Sequence, residues 1–191
     1  MALLDTLLAA NNLKTTPRMG WVLRGVAEAE SVAEHSYGVA FVALALADVA
    51  EASGEGDGFD RGKLLSMALL HDLAESVISD LPLPAQRFFP AGAKATAERA
   101  ALSELLAGLP GSQGLLALWE EFEEGSGPEA RVVRDADRLD MLLQAFVYIE
   151  RTGNRALAEF WDSPAARAPF EFAVSQRVYA ALRDRYDRYT R

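Results

Sequence analysis

His71 is followed at once by Asp72, with Glu75 four residues on, inside the apolar, helix-like run SMALLHDLAESVISDLPLP. A buried carboxylate beside a histidine costs several kcal/mol unless something pairs with both, and a divalent ion would offset that cost. The chain has only one other histidine, His35 in SVAEHS, and Asp137 in VVRDADRLDMLL completes a set of two imidazoles and two carboxylates. On a helix, His71 and Asp72 splay by about 100°, so both reach one ion if the helix presents its edge. Glu75 shares a face with both. From there it can move a proton of an attacking water without ligating. This pattern suits metal-assisted hydrolysis.

The elements that must position these groups read as helices almost throughout, because apolar residues recur at three and four rather than at two. The spacing predicts helices at about 2–11, 32–52, 61–78, 92–108, 114–124, 129–151, 154–162 and 165–188. Ser31 and Glu34 have the capping-box form at the start of the second. The GEGDG stretch at 54–58 reads as a connection, and Leu81-Pro82-Leu83-Pro84 ends the third helix in an extended segment. Gly125-Ser-Gly-Pro128 separates two more, with Pro128 at or near a first helical position. In the 129–151 helix, Val132, Ala136, Leu139, Leu143 and Phe146 form the expected core stripe, with Asp137 at its edge. The expectation is all-α, a single domain over 1–191 with no linker or repeat.

Composition narrows the classes further. Fifty per cent hydrophobic content in 191 residues allows one substantial core. A net charge of −9 argues against a nonspecific nucleic-acid binder. With no cysteine, thiolate metal sites and disulfides are excluded, so any metal sits on nitrogen and oxygen. No uninterrupted apolar run reaches the roughly 20 residues of a membrane span. The N-terminus lacks a basic leader, which makes the cytoplasm the expected location, with no membrane partner.

An H…HD…D order in an all-α chain resembles the HD-domain metal-dependent phosphohydrolases. PRMGWVLRGV, AESVAEHS, LLHDLAESVISDLP and FEEGSGPEARVVRDADRLDMLLQAF, in that order across about 13–150, are similar to the 5′-deoxynucleotidase (YfbR-like) group and its eukaryotic relatives. The resemblance implies an HD-domain helical bundle with a metal site in an interior cleft, and C-terminal helices at about 154–188 outside the motif-bearing part. It implies one divalent ion (Mn, Co, Fe, Zn or Mg) on His35, His71, Asp72 and Asp137, with Glu75 as the catalytic group. It also implies substrate contacts from Arg18 to phosphate, Trp21 to deoxyribose and Asp80 near the sugar. Met19 and Gly20 separate Arg18 from Trp21, whereas some members have the two adjacent. The implied reaction is hydrolysis of a 5′-deoxyribonucleoside monophosphate by a homodimer.

Alternatives stay open at this point. Trp21 reads also as core, Arg18 as a solvated charge, Asp80 as a helix terminator and Glu75 as a partner for a surface base. Asp140 is expected to pair with a base or to support the site from outside the ligand set. The other functional readings are a phosphodiesterase or a hydrolase of another nucleotide, and a noncatalytic nucleotide-binding protein.

Overall fold

The computed structural model describes residues 3–56 and 58–191. Ala2, expected to open the first helix, and Asp57 of the GEGDG connection lie outside the described residues. In chain order the helices are α1 (Leu3–Asn11), α2 (Met19–Val22), α3 (Val32–Ala52), α4 (Arg61–Leu70), α5 (Glu75–Ile78), α6 (Leu83–Gln86), α7 (Ala93–Leu106), α8 (Ser112–Glu124), α9 (Pro128–Thr152), α10 (Ala158–Asp162), α11 (Pro164–Arg167) and α12 (Ala173–Thr190). Among the described residues there is no strand; one isolated bridge joins Pro17 to Ser31.

α3 and α9 form the central pair, with α4 against both and α12 across α9. Val39, Ala43, Leu46, Ala47 and Ala50 of α3 meet Val132, Ala136, Leu139, Leu142 and Ala145 of α9, and α4 adds Leu64, Met67 and Ala68. The α9 stripe is wider than expected: Leu143 and Phe146 are only partly buried, and Leu142 and Ala145 take the fully buried positions. Alanines at the contacts let the two long helices approach closely, and dispersion across that contact supplies much of its stabilisation. A second cluster gathers Ala74, Leu102, Leu105, Leu106, Leu116 and Trp119 between α5, α7 and α8. α3 is also long and apolar enough to cross a membrane by composition; here it carries His35 and packs against α4, α9 and α12.

Local signals set the ends. The Ser31 hydroxyl accepts from the Glu34 amide and the Glu34 carboxylate accepts from the Ser31 amide at 2.7 Å, a complete capping box. Gly125 closes α8 at φ 66°, and Pro128 occupies the first turn of α9.

Three expected elements differ. The 61–78 helix breaks: α4 stops at Leu70 and residues 71–74 form turns before α5. The Leu73, Glu75 and Ser76 amides reach back three residues rather than four, to Leu70, Asp72 and Leu73, the tighter 3₁₀ pattern. The His71 carbonyl thereby loses its helical donor and accepts instead from the Trp119 indole at 3.2 Å. Leu83–Gln86 forms a short helix where an extended segment was expected, since Pro84 fits a first turn. The C-terminal helix is divided near Pro169. There the Asp135 carboxylate accepts from the Glu171 and Phe172 amides, and Arg138 donates to the Ala168 and Pro169 carbonyls.

Candidate active site

The break at 71–74 lies at the seam between the two apolar clusters, and it aims the chemistry. With 3₁₀ spacing, residues three apart eclipse, so Asp72 and Glu75 point along one line into the same cleft. That cleft, of about 500 Å³, is lined by Arg18, Asp72, Glu75, Asp80, Lys94 and Asp137 on its polar side, with Trp21, Met141 and Phe160 among its apolar residues.

At its floor His35 and His71 face each other, Nε2 to Nε2, at 3.4 Å. His35 is fully buried. Its Nδ1 lies 2.8 Å from Asp140 Oδ2, and the His71 Nδ1 lies 2.8 Å from the Ala68 carbonyl. A carbonyl accepts only, so His71 carries its proton on Nδ1, and the Asp140 carboxylate favours the same tautomer for His35. With only that proton on each ring, the form that can ligate, both Nε2 lone pairs point at one spot. Asp137 Oδ1 is 3.2 Å from His35 Nε2, and Asp72 Oδ2 is 3.3 Å from His71 Nε2 and 3.6 Å from His35 Nε2.

Two imidazoles whose Nε2 atoms converge between two carboxylates call for a cation, a metal ion or, without one, a proton on the rings. Donor atoms of His35, His71 and Asp137 lie within 4.8 Å of one another, and Asp72 Oδ2, which Arg18 also holds, lies within 3.6 Å of both rings. The titration shifts point the same way. Burial and Arg18 pull the His35 imidazole down, but its bonds to Asp137 and Asp140 outweigh them and push it up to about 9. Burial opposes ionisation of Asp72, yet His71, Arg18 and His35 hold it well below the usual carboxylate range. Asp137 is likewise lowered, chiefly by its bond to His35 against burial.

Glu75 behaves oppositely. It is 2% exposed, and burial, then Asp72 and Asp80, push its carboxyl up to about 9. Its Oε2 has no hydrogen-bond partner. An unpartnered buried carboxyl facing a cleft is placed to receive or deliver a proton there.

The remaining expected contacts sit around the same cleft. Residues 16–18 run beside 30–32, with the Arg18 amide on the Glu30 carbonyl and the Val32 amide on the Thr16 carbonyl, each at 2.9 Å. This ties Arg18 to the start of the helix bearing His35. Its guanidinium donates to Asp72 Oδ2 at 2.9 Å; burial lowers its pKa, but Asp72, Asp137, Asp80 and Glu75 together raise it. Asp80 follows Ser79, which holds φ 65°, a strained conformation for a non-glycine residue. The Asp80 Oδ2 accepts from the Met19 amide at 2.7 Å. Trp21 is both core and wall: 2% exposed, it donates to Glu30 Oε1 at 2.8 Å and packs on Phe160 with ring centroids 4.3 Å apart.

The sequence reading did not single out Lys94, Met141 or Phe160. Lys94 had a legible signal, a lysine in a helix first turn four residues before a glutamate; Phe160 and Met141 are isolated apolar residues with none. For Asp140 the reading left two roles open, and the structure places it on His35. Gly38 makes that possible, because a Cβ there would overlap the Asp140 carboxylate.

Comparison with known proteins places this arrangement. A family model described as HD domain matches residues 10–168. The 5′-deoxynucleotidase HDDC2 of Homo sapiens is 35% identical over 170 residues, covering 87% of this chain and 78% of its own. A conserved hypothetical protein from Pyrococcus furiosus superposes with a TM-score of 0.81 at 37% identity, over 95% of this chain and 99% of that one. A protein from Magnetospirillum magnetotacticum, named as a predicted metal-dependent phosphohydrolase, gives a TM-score of 0.68 at 26% identity, over 97% and 89%. The helical frame, the paired histidines and these likenesses agree, and the chain belongs to the HD-domain family of metal-dependent phosphohydrolases.

Proposed function

We propose that this chain hydrolyses 5′-deoxyribonucleoside monophosphates, water and the phosphomonoester giving the deoxynucleoside and inorganic phosphate. The observation that carries the reading is the cleft floor, where two buried imidazoles and two carboxylates converge beside a buried, proton-holding Glu75. The similarity to 5′-deoxynucleotidases over most of the chain supports the substrate class.

His35, His71, Asp72 and Asp137 would hold a divalent ion, which when bound supplies Lewis-acid charge at the phosphoryl oxygens. Two nitrogen and two oxygen donors suit Mn²⁺, Co²⁺, Fe²⁺, Zn²⁺ or Mg²⁺, the later first-row ions binding more tightly. Asp140 and the Ala68 carbonyl fix the two rings, so the donor set is organised before substrate arrives. Arg18, held by Asp72, brings a permanent positive charge to the phosphate end. Glu75 exchanges a proton at its carboxyl, with water as the nucleophile's source or with the departing 5′ oxygen. The Trp21 and Phe160 rings supply an apolar wall that a 2′-deoxyribose tolerates and that leaves a 2′-hydroxyl without a partner.

The test is phosphate release from a panel of deoxy- and ribonucleoside mono-, di-, tri- and cyclic phosphates with Mn²⁺ or Co²⁺, for wild type and Glu75→Ala. Release from the deoxy monophosphates that collapses at least a hundredfold in the variant, with metal still bound, supports the reading. A metal-loaded wild type that releases nothing from any monophosphate overturns it.

A further inference from the structure

Lys94 stands where helix energetics argue against a lysine. It is the second residue of α7, after the left-handed Gly92. A cation in a helix first turn meets the positive end of the peptide dipoles. Its Nζ lies 2.6 Å from Glu98 Oε1, four residues on. Lysine before glutamate is the less favourable order for such a pair. Glu98 is itself 3% exposed, so the pair also carries a desolvation cost that a surface ion pair avoids. Neither helix stability nor an inexpensive salt bridge explains the arrangement.

Its location does. Lys94 lines the same cleft as Arg18, Asp72, Glu75 and Asp137. The cleft's other cations are engaged: Arg18 with Asp72, Arg24 twice with Glu159, and Arg87 over the Phe88 ring at 4.7 Å. Lys94 brings three N–H donors, of which Glu98 takes one. The Lys94 side chain is 34% exposed, so its ammonium stays reachable at the cleft wall.

We propose that Lys94, aimed by Glu98, is a second cation for the substrate's phosphate, acting from the α7 wall of the cleft. This rests on the reading that a phosphomonoester occupies that cleft. The Lys94–phosphate contact would be a charge-assisted hydrogen bond, present for substrate and for product phosphate alike. Lys94 thus contributes binding of the phosphate group whatever nucleoside carries it.

The experiment measures affinity of the Mn²⁺-loaded protein for inorganic phosphate, by calorimetry, in wild type, Lys94→Met and Lys94→Arg, with Mn²⁺ affinity as the control for an intact site. Lys94→Met keeps the stem and is expected to weaken phosphate about tenfold or more, the order of one charge-assisted bond. Mn²⁺ affinity should stay within about threefold, and Lys94→Arg should hold phosphate within about threefold of wild type. Should Lys94→Met fail to fold, Lys94→Gln gives the same comparison. Phosphate affinity unchanged in Lys94→Met, no phosphate binding by wild type, or a parallel loss of Mn²⁺ overturns the proposal. Turnover plays no part in the readout, so a chain inactive on deoxynucleotides would fail the functional reading without deciding this one.

Discussion

Glu75→Gln in the metal-free protein tests the electrostatics of the cleft without needing catalysis. The carboxyl moves from an ordinary value of 4.5 to about 9 on folding, because burial, Asp72 and Asp80 oppose its charge. Between those values the folded chain keeps a proton that the unfolded chain has released. Raising the pH therefore favours unfolding: this group's contribution is fully present below about 4.5 and is lost as pH rises toward 9. The slope for one proton is about 1.36 kcal/mol per pH unit. Over the two units from pH 5.5 to 7.5 that amounts to about 2.7 kcal/mol, a large share of a typical domain's stability.

Glutamine cannot ionise, so the variant lacks this slope and retains everything else. It also brings an amide N–H₂ near a position where Glu75 Oε2 has no partner, a constant offset of about 1–3 kcal/mol. The slope separates the two effects. Denaturant unfolding with chelator present, at pH 5.5, 6.5 and 7.5, should show the wild-type-minus-variant difference falling by about 1.4 kcal/mol per unit. A difference that stays flat across that window would refute the claim that Glu75 keeps its proton in the folded cleft. Loading the protein with Mn²⁺ is expected to flatten the slope, because a nearby dication opposes the push from Asp72.

Other perturbations reach the neighbouring groups. Gly38→Ala forces the Asp140 carboxylate off His35 Nδ1 and is expected to weaken Mn²⁺ binding about 10- to 100-fold, the range for losing an orienting partner of a histidine ligand; a fluorescence-quench titration reads it, and unchanged affinity would remove Asp140 from that role. His35 titrates near 9 in the metal-free chain, so a proton competes for Nε2 below that pH. Apparent Mn²⁺ affinity should climb about tenfold or more per unit from pH 6.5 to 8.5, and a flat profile would show that the proton and the ion do not share the atom. Trp21→Ala opens the wall shared with Phe160 and should raise turnover of ribonucleotides relative to deoxyribonucleotides in the phosphate-release assay. An unchanged ratio would leave Trp21 a core residue only.

Much of the fold was legible because long helices announce themselves. The 32–52 helix matches its expected bounds, helped by the Ser31–Glu34 box, and the 129–151 helix differs by one residue at each end. What the pattern could not show is the break at His71. Residues 61–78 keep helical periodicity throughout, and the break is accommodated by a tertiary contact: Trp119, 48 residues away, takes the His71 carbonyl that the step leaves free. Periodicity records which face is apolar, not where the hydrogen-bond ladder shortens. His35, His71, Asp72, Asp137 and Glu75 could be named from residue type and spacing because buried ionisable groups are costly and stand out. Arg18, Trp21 and Asp80 came only through resemblance. The pairing of Arg18 with Asp72 and of Trp21 with Glu30 depends on the 16–18 segment lying against 30–32, a juxtaposition no local pattern encodes.

Four local departures from ordinary helix behaviour share one location. The 3₁₀ step at 71–74, the positive φ of Ser79, the orphaned oxygen of Glu75 and the first-turn Lys94 all border the one cleft. Each costs stability, and each has a geometric effect there. The tightened step eclipses Asp72 and Glu75, Ser79 delivers Asp80 to the Met19 amide, and Gly92 starts the helix that turns Lys94 inward. Away from it, local rules hold at the complete capping box of Ser31 and at the glycines closing α8 and α9. Sequences tend to violate those rules where function requires it. Four independent violations converging on the wall and floor around two histidines locate the site even before any relative is considered.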